Sequence, residues 1–504
     1  MSSVLYTMDK LPSDILLAFA TLLDVEDLLS LLATCHWIRA LSEEPALWIN
    51  CIRRIEGVQM HPVVLSTGDV AALPRAQLKA MAHRAARILR NLASSSPRLE
   101  RIQSIGSPLL EGHFKFFIPG TRLLLTNAPG RVECWDVIHA RLVASTTLDR
   151  LRILGTNCVS SGSDVLFSAV VLESGPLAGH HNGIVIESLA VIRIDLSDLK
   201  NINITTVVSP RIIHEARHTP HTADIFLTEK LMGIACRGPA FTVEAVSLLC
   251  WPMDSSQPVS SIQYPFSQAS GPTVRMVGLS FDAGSGILYG LSPVSVINND
   301  QSVVYSIPIR PVDGSIDPAA PMTTTTISHS YDDGPREYQS GSSSGSATTF
   351  SSHAKFGVRA VARFCRHFIQ LGVPGAEHRR RRNYLVFLTG TAHGPTSDSL
   401  LFETLGDYHV AGYSGRYLVF SSPSAGGAHA LGMARLLERE SELQTMHFLG
   451  GSVDARDVSI QAVDDILGLV AVWDGKRKCV DVYSYSGDWG CGTTGNPTWI
   501  KSDS

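Results

Sequence analysis

The chain has 504 residues, 44% of them apolar and 17% charged, with a formal net charge of −4. That composition supports a globular protein of more than one domain and excludes a chain that is disordered throughout. The near-neutral balance also argues against a nucleic-acid partner, since such binders are usually basic overall.

Nine cysteines stand singly, without a repeated close spacing. An odd count with no framework reads as free thiols in a reducing compartment. The apolar run 15–23 is entered by Pro12 and Asp14 and closed by Asp24, and no small-residue cleavage site follows it. It therefore does not read as a leader peptide. No run approaches the roughly 20 apolar residues of a membrane span. The expectation is a protein of the cytoplasm or nucleus with no membrane contact.

Residues 11–55 read as three or four short helices. Ile15, Leu16, Phe19, Leu22 and Leu23 recur at helical spacing and predict one apolar face. Pro12 suits the first turn, where a missing N–H costs little. Asp24 offers an N-cap for a second helix, with Glu26 and Asp27 in its first turn. Thr34 is placed to cap a third helix carrying Cys35, Ile38 and Leu41, which Pro45 stops. Some forty residues cannot enclose this many large apolar side chains, so part of them should face another protein or domain.

The segments Leu11-Pro12-Ser13-Asp14-Ile15-Leu16, Asp24-Val25-Glu26-Asp27-Leu28-Leu29 and Pro45-Ala46-Leu47-Trp48 occur in that order. Together they resemble the F-box, over about a tenth of the chain. One position departs from the family pattern: Ile38 stands where the family often has an aromatic residue, and Trp37 lies one place early. The resemblance implies docking to a Skp-family adaptor and, through it, to a cullin–RING ubiquitin ligase. By that resemblance Leu11, Pro12, Ile15, Leu16, Phe19, Leu28, Leu31, Leu47 and Trp48 form the adaptor contact, with Trp48 a candidate hot spot.

Residues 71–93 predict one further helix. Leu78, Met81, Ala82, Ala85, Ile88, Leu89 and Leu92 form its apolar stripe, and Lys79, Arg84, Arg87 and Arg90 fill the remaining surface. Ser94-Ser95-Ser96-Pro97 closes it.

Beyond Pro97 the pattern turns to short apolar strands broken by Gly, Pro, Asn and Asp. Residues 121–126 and 132–137 read as strands around the turn Asn127-Ala128-Pro129-Gly130. The second strand holds Trp135-Asp136, and Arg141-Leu142-Val143 follows. This unit resembles a WD-type repeat. About seven comparable units recur, which predicts a degenerate β-propeller of six to eight blades. A sandwich or a pair of sheets is the alternative. Trp473-Asp474 looks like a second such signature, but Gly475 follows at once, so the pair reads as the start of a hairpin turn.

Residues 320–352, rich in Ser, Thr and Gly, read as a flexible insert. Arg379-Arg380-Arg381-Arg382 reads as a solvated loop, with an import or polyanion-contact role as the sharper alternative.

His214-Glu215-Ala216-Arg217-His218 matches the zinc-protease pattern, which requires a helix to bring both His to one face. Pro210, Pro220 and a β-branched upstream flank deny it that helix, so it reads as a polar loop between strands. No Gly loop followed by Lys-Ser or Lys-Thr is present, and Arg435–Glu440 reads as a helical run. No metal, cofactor or catalytic residue is assigned.

The expected fold is mixed and multidomain. An all-α docking segment (7–55) and a helical linker (56–97) precede a mainly-β recognition domain (98–487) and a tail (488–504). The expected function is that of a non-catalytic substrate receptor of an SCF-type ligase with an unknown protein target. The alternative is a propeller-like scaffold with no ligase role.

Overall fold

The computed structural model describes residues 12–34, 36–57, 61, 63, 70–106, 114–128, 131–147, 156–161, 164–175, 184–198, 201–216, 222–227, 231–237, 245–252, 260–265, 278–282, 287–296, 299–308, 323–328, 360–370, 381–391, 394–404, 409–412, 417–423, 428–437, 442–454 and 458–486.

Five helices open the chain: α1 (Ser13–Ala20), α2 (Val25–Thr34), α3 (His36–Arg39), α4 (Pro45–Gly57) and α5 (Arg75–Ala93). Asp24 caps α2, its Oδ1 accepting the Asp27 N–H at 2.9 Å. Thr34 ends α2, its hydroxyl donating back to the Leu31 carbonyl at 2.6 Å. Pro45 starts α4 instead of merely ending what precedes it. A proline at the first helical position loses only an N–H that would lack an intrahelical partner anyway. The same rule trims α5. The expected helix began at residue 71, but Pro74 bars the residue before it from the α conformation. The chain instead makes a 3-10 turn at Val70–Ala72 and starts the helix at Arg75.

These helices share one core. Leu16, Ala20, Leu28, Leu32, Ile38, Leu47, Trp48, Ile52 and Ile55 pack with Leu78, Met81, Ala82, Ala85 and Leu89 of α5. Ile38, the residue that departs from the family pattern, is part of it; the side chain of Trp37 lies outside the described residues. Every residue of the predicted α5 stripe is buried.

The rest of the described chain forms antiparallel sheets. Six of them use consecutive strands, within 114–147, 156–216, 222–265, 278–328, 360–404 and 409–454. Five are four-stranded, and the one within 360–404 has three described strands. The seventh joins the two ends of the β region, in the order Glu100–Gly106, Cys479–Ser484, Leu469–Asp474, Val458–Asp464. It is called the joining sheet below. Neighbouring sheets touch in chain order, and the joining sheet touches both the first and the sixth.

Four expectations are corrected. Trp473-Asp474 ends the strand Leu469–Asp474 and the turn comes after it, as with Trp135-Asp136 at the end of Arg131–Asp136. Arg435–Leu437 lie inside the strand Ala428–Leu437, where pairing with Glu442–Asp454 overrides their helix propensity. His214, Glu215 and Ala216 are strand, not loop, at the end of Asn203–Ala216; Arg217 and His218 lie outside the described residues. Thr323–Ser328, inside the segment expected to be flexible, is a strand paired with Gln301–Ser306. Its run of β-branched threonines suits a pleated surface. Residues 329–352 lie outside the described residues. So do Arg379 and Arg380, while Arg381 and Arg382 open the strand Arg381–Thr391.

Candidate functional site

Among the described residues, the exposed large apolar side chains of the helical unit lie on α1 and the turn after it: Ile15 at 51%, Phe19 at 45% and Leu22 at 68% of full exposure. Their spacing, i, i+4 and i+7, aligns them along one stripe. Leu16 and Ala20 face the other way into the core. The single apolar face expected from sequence is therefore two faces, because one residue step rotates a side chain by about 100°. Pro12 is exposed at the helix entry, and Leu31 on α2 is half-buried. Leu11 lies outside the described residues.

The other residues expected at the contact are interior. Leu16, Leu28, Leu47 and Trp48 are enclosed by the chain itself. Trp48 is fully buried, and its indole Nε1 donates to the Ser42 carbonyl at 2.8 Å. Its ring lies against His83 with centroids 5.7 Å apart, and Lys79 Nζ sits 5.8 Å from its centroid. Burial, then Lys79 and Arg87, hold His83 below its ordinary pKa. Trp48 is thus the joint between α4 and α5, a role that α5, lying some thirty residues beyond the motif, makes possible. Leu22, by contrast, is exposed but was not assigned to the contact; its signal was its place in the same heptad-like series as Ile15 and Phe19.

A polar junction connects the helical unit to the sheets. Asp464 is fully buried at the end of Val458–Asp464. Its Oδ1 accepts the N–H of Ile466 at 3.0 Å and of Leu467 at 2.9 Å, and its Oδ2 accepts the Gly120 N–H at 2.8 Å. Burial lowers Arg84 of α5 to about 10, opposed by the charge of Asp464. His61 Nδ1 meets the Tyr417 hydroxyl at 2.9 Å, both buried.

One group among the described residues has metal-like composition: Asp474, Cys479 and Asp481, with ligand atoms within 4.8 Å of one another. Arg477 already supplies the positive charge there. Its Nε bonds Asp474 Oδ2 at 2.6 Å, its Nη2 bonds Asp481, and its backbone N–H reaches Asp474 Oδ1 at 2.9 Å. Burial raises the Asp474 carboxyl, and these Arg477 bonds outweigh it and hold it below its ordinary value. Cys51 and Cys134 are free, and burial pushes both thiols to about 12, so neither suits a thiolate role.

Comparison with known proteins agrees with the helical half of this picture. A family model described as F-box-like matches residues 8–54. No curated protein matches the sequence. Among solved structures, the β-propeller domain of Cps50 (Swd1) from Myceliophteria thermophila is similar, at 11% identity and a TM-score of 0.43, over 77% of this chain and 99% of that one. The WD40 domain of SCAP from fission yeast is similar at 10% identity and a TM-score of 0.37, over 78% and 99%. At such scores the likeness carries no weight of its own, and the order of the sheets carries the architecture. Residues 8–54 thus carry an F-box-like segment, with a mainly-β region behind it.

Proposed function

We propose that this protein is the substrate-recognition subunit of an SCF-type cullin–RING ubiquitin ligase. The observation that carries the proposal is the stripe Ile15–Phe19–Leu22, left exposed on α1 and the turn after it inside the F-box-like segment, while Leu16, Leu28, Leu32 and Leu47 are enclosed. A Skp-family adaptor covers that stripe. Three such side chains supply about 2 kcal/mol each when buried. Their sum falls at the low end of the association cost. The adaptor contact therefore also takes in Pro12, the part-exposed edge at Leu31, and Leu11.

The β region acts as a seven-bladed propeller, closed by the joining sheet and presenting its loops to a protein target. Closure protects strand edges that an open series would expose. Docking segment, linker, recognition domain and tail divide at 7–55, 56–97, 98–487 and 488–504. Transfer of ubiquitin needs only proximity, so the chain supplies no catalytic group of its own. It works where the ligase works, in cytoplasm or nucleus.

The test is direct binding of the purified full chain to a Skp-type adaptor. Phe19→Asp and Leu22→Asp should each abolish binding with an unchanged thermal midpoint, since both side chains are exposed. Undiminished binding by both variants would overturn the assignment. The burial of Leu16, Leu28, Leu47 and Trp48 favours the alternative, a propeller-like scaffold without ligase role, which predicts no adaptor binding by the wild-type chain.

A further inference from the structure

One side chain ties the helical unit to both ends of the β region. Asn91, in the last turn of α5, donates from Nδ2 to the carbonyls of Arg98 and Tyr485, each at 2.8 Å. Its Oδ1 accepts the Arg98 N–H at 2.9 Å. Arg98 lies two residues before the first strand, Glu100–Gly106, and Tyr485 immediately follows the last, Cys479–Ser484. Those two strands pair with each other in the joining sheet.

The helix itself is shared between two cores. Leu78, Met81, Ala82, Ala85 and Leu89 belong to the helical core. Ile88 and Leu92 belong instead to the core of the sixth and joining sheets, with Tyr417, Val470 and Tyr485. Glu100–Gly106 has little anchorage of its own: Ile105 is its one buried residue, and it lies at the edge of its sheet. Its pairing also closes almost the whole length of the β region, with the loop-closure cost that entails.

We infer that the helical unit is a clasp on the joining sheet: loosening of the docking helices and opening of the pairing between Glu100–Gly106 and Cys479–Ser484 are one cooperative event. By linkage, a partner bound to the α1 stripe protects that pairing although it touches none of it. The clasp stands whatever the identity of that partner.

Native-state amide hydrogen exchange on the full chain, read by mass spectrometry, tests it. Leu28→Ala cuts into the helical core, to which no strand residue belongs. It should speed exchange of 13–34 and of 100–106 by the same factor, more than about tenfold. Asn91→Ala should speed 100–106 and 479–484 roughly tenfold by stranding the groups it satisfies. In both variants 131–147, in the neighbouring sheet, keeps its wild-type rate. Leu28→Val gives the same readout if the alanine variant folds too poorly to purify. Acceleration confined to 13–34 would overturn the clasp, and so would equal acceleration of every segment, which would mean global unfolding.

Discussion

Trp48 shows how a single residue can belong to a motif and serve the chain's own interior. It is fully enclosed between α4 and α5, with its one polar atom satisfied by the Ser42 carbonyl. Truncation at such a site removes a filled volume and costs about 3–5 kcal/mol. Trp48→Ala should therefore lower the thermal midpoint sharply, measured by calorimetry, with any loss of adaptor binding following from lost folded protein. Phe19→Asp should do the reverse, sparing the fold and removing the contact. Composition and spacing could name both residues as apolar and helical. They could not tell which side of α1 or α4 the partner would see, because that depends on where α5 lies.

At the scale of the element, a repeated hairpin device explains why one sequence reading failed. Three turns, at 137–140, 465–468 and 475–478, follow strands that end in aspartate. In each, the aspartate Oδ1 accepts backbone N–H groups of the turn: Ile138 for Asp136, Ile466 and Leu467 for Asp464, Arg477 for Asp474. The fourth turn residue is left-handed, with φ of 47° at Ala140, 70° at Gly468 and 52° at Lys478. Gly475 directly after Trp473-Asp474 suggested that the pair began the turn; the aspartate instead ends its strand and organises the turn by side-chain bonding. The device fixes the sign of two substitutions. At Gly468 a Cβ would lie 3.2 Å from Ile88 Cδ1 and 3.3 Å from the Ser486 backbone nitrogen, on top of the left-handed φ. Gly468→Ala should cost about 1–2 kcal/mol or more in chemical denaturation. Ala140→Gly relieves the same backbone penalty but loosens the unfolded chain, so it should gain under about 1 kcal/mol.

At the scale of the whole molecule, Asp464 links parts far apart in sequence: the turn at Gly120, the joining sheet and, through charge, Arg84 of α5. Burial raises its carboxyl from 3.8 to about 7, with the adjacent Asp465 adding to the rise and the Leu467, Gly120 and Ile466 N–H groups opposing it. The folded state thus holds a proton that the unfolded chain has already released. Stability should therefore fall as pH rises from about 4 to about 7 and level off above. Asp464→Asn should flatten that slope in thermal melts across the range while lowering the midpoint, since an amide cannot accept at both former oxygen positions. A wild-type slope in the variant would assign the dependence to another group.

Much of this architecture was legible in one dimension. Local chemistry located the strands read at 121–126 and 132–137, which form as Leu123–Ala128 and Arg131–Asp136, the Asp24 cap and the whole α5 stripe, because period, capping and turn residues act over a few neighbours. Tertiary structure alone decided that Glu100–Gly106 pairs with Cys479–Ser484, that α5 is divided between two cores, and that Ile15, Phe19 and Leu22 stay outside while Leu16 and Trp48 go in. Periodicity tells which residues share a face. What covers that face is set by packing against segments tens to hundreds of residues away, and no local pattern encodes that.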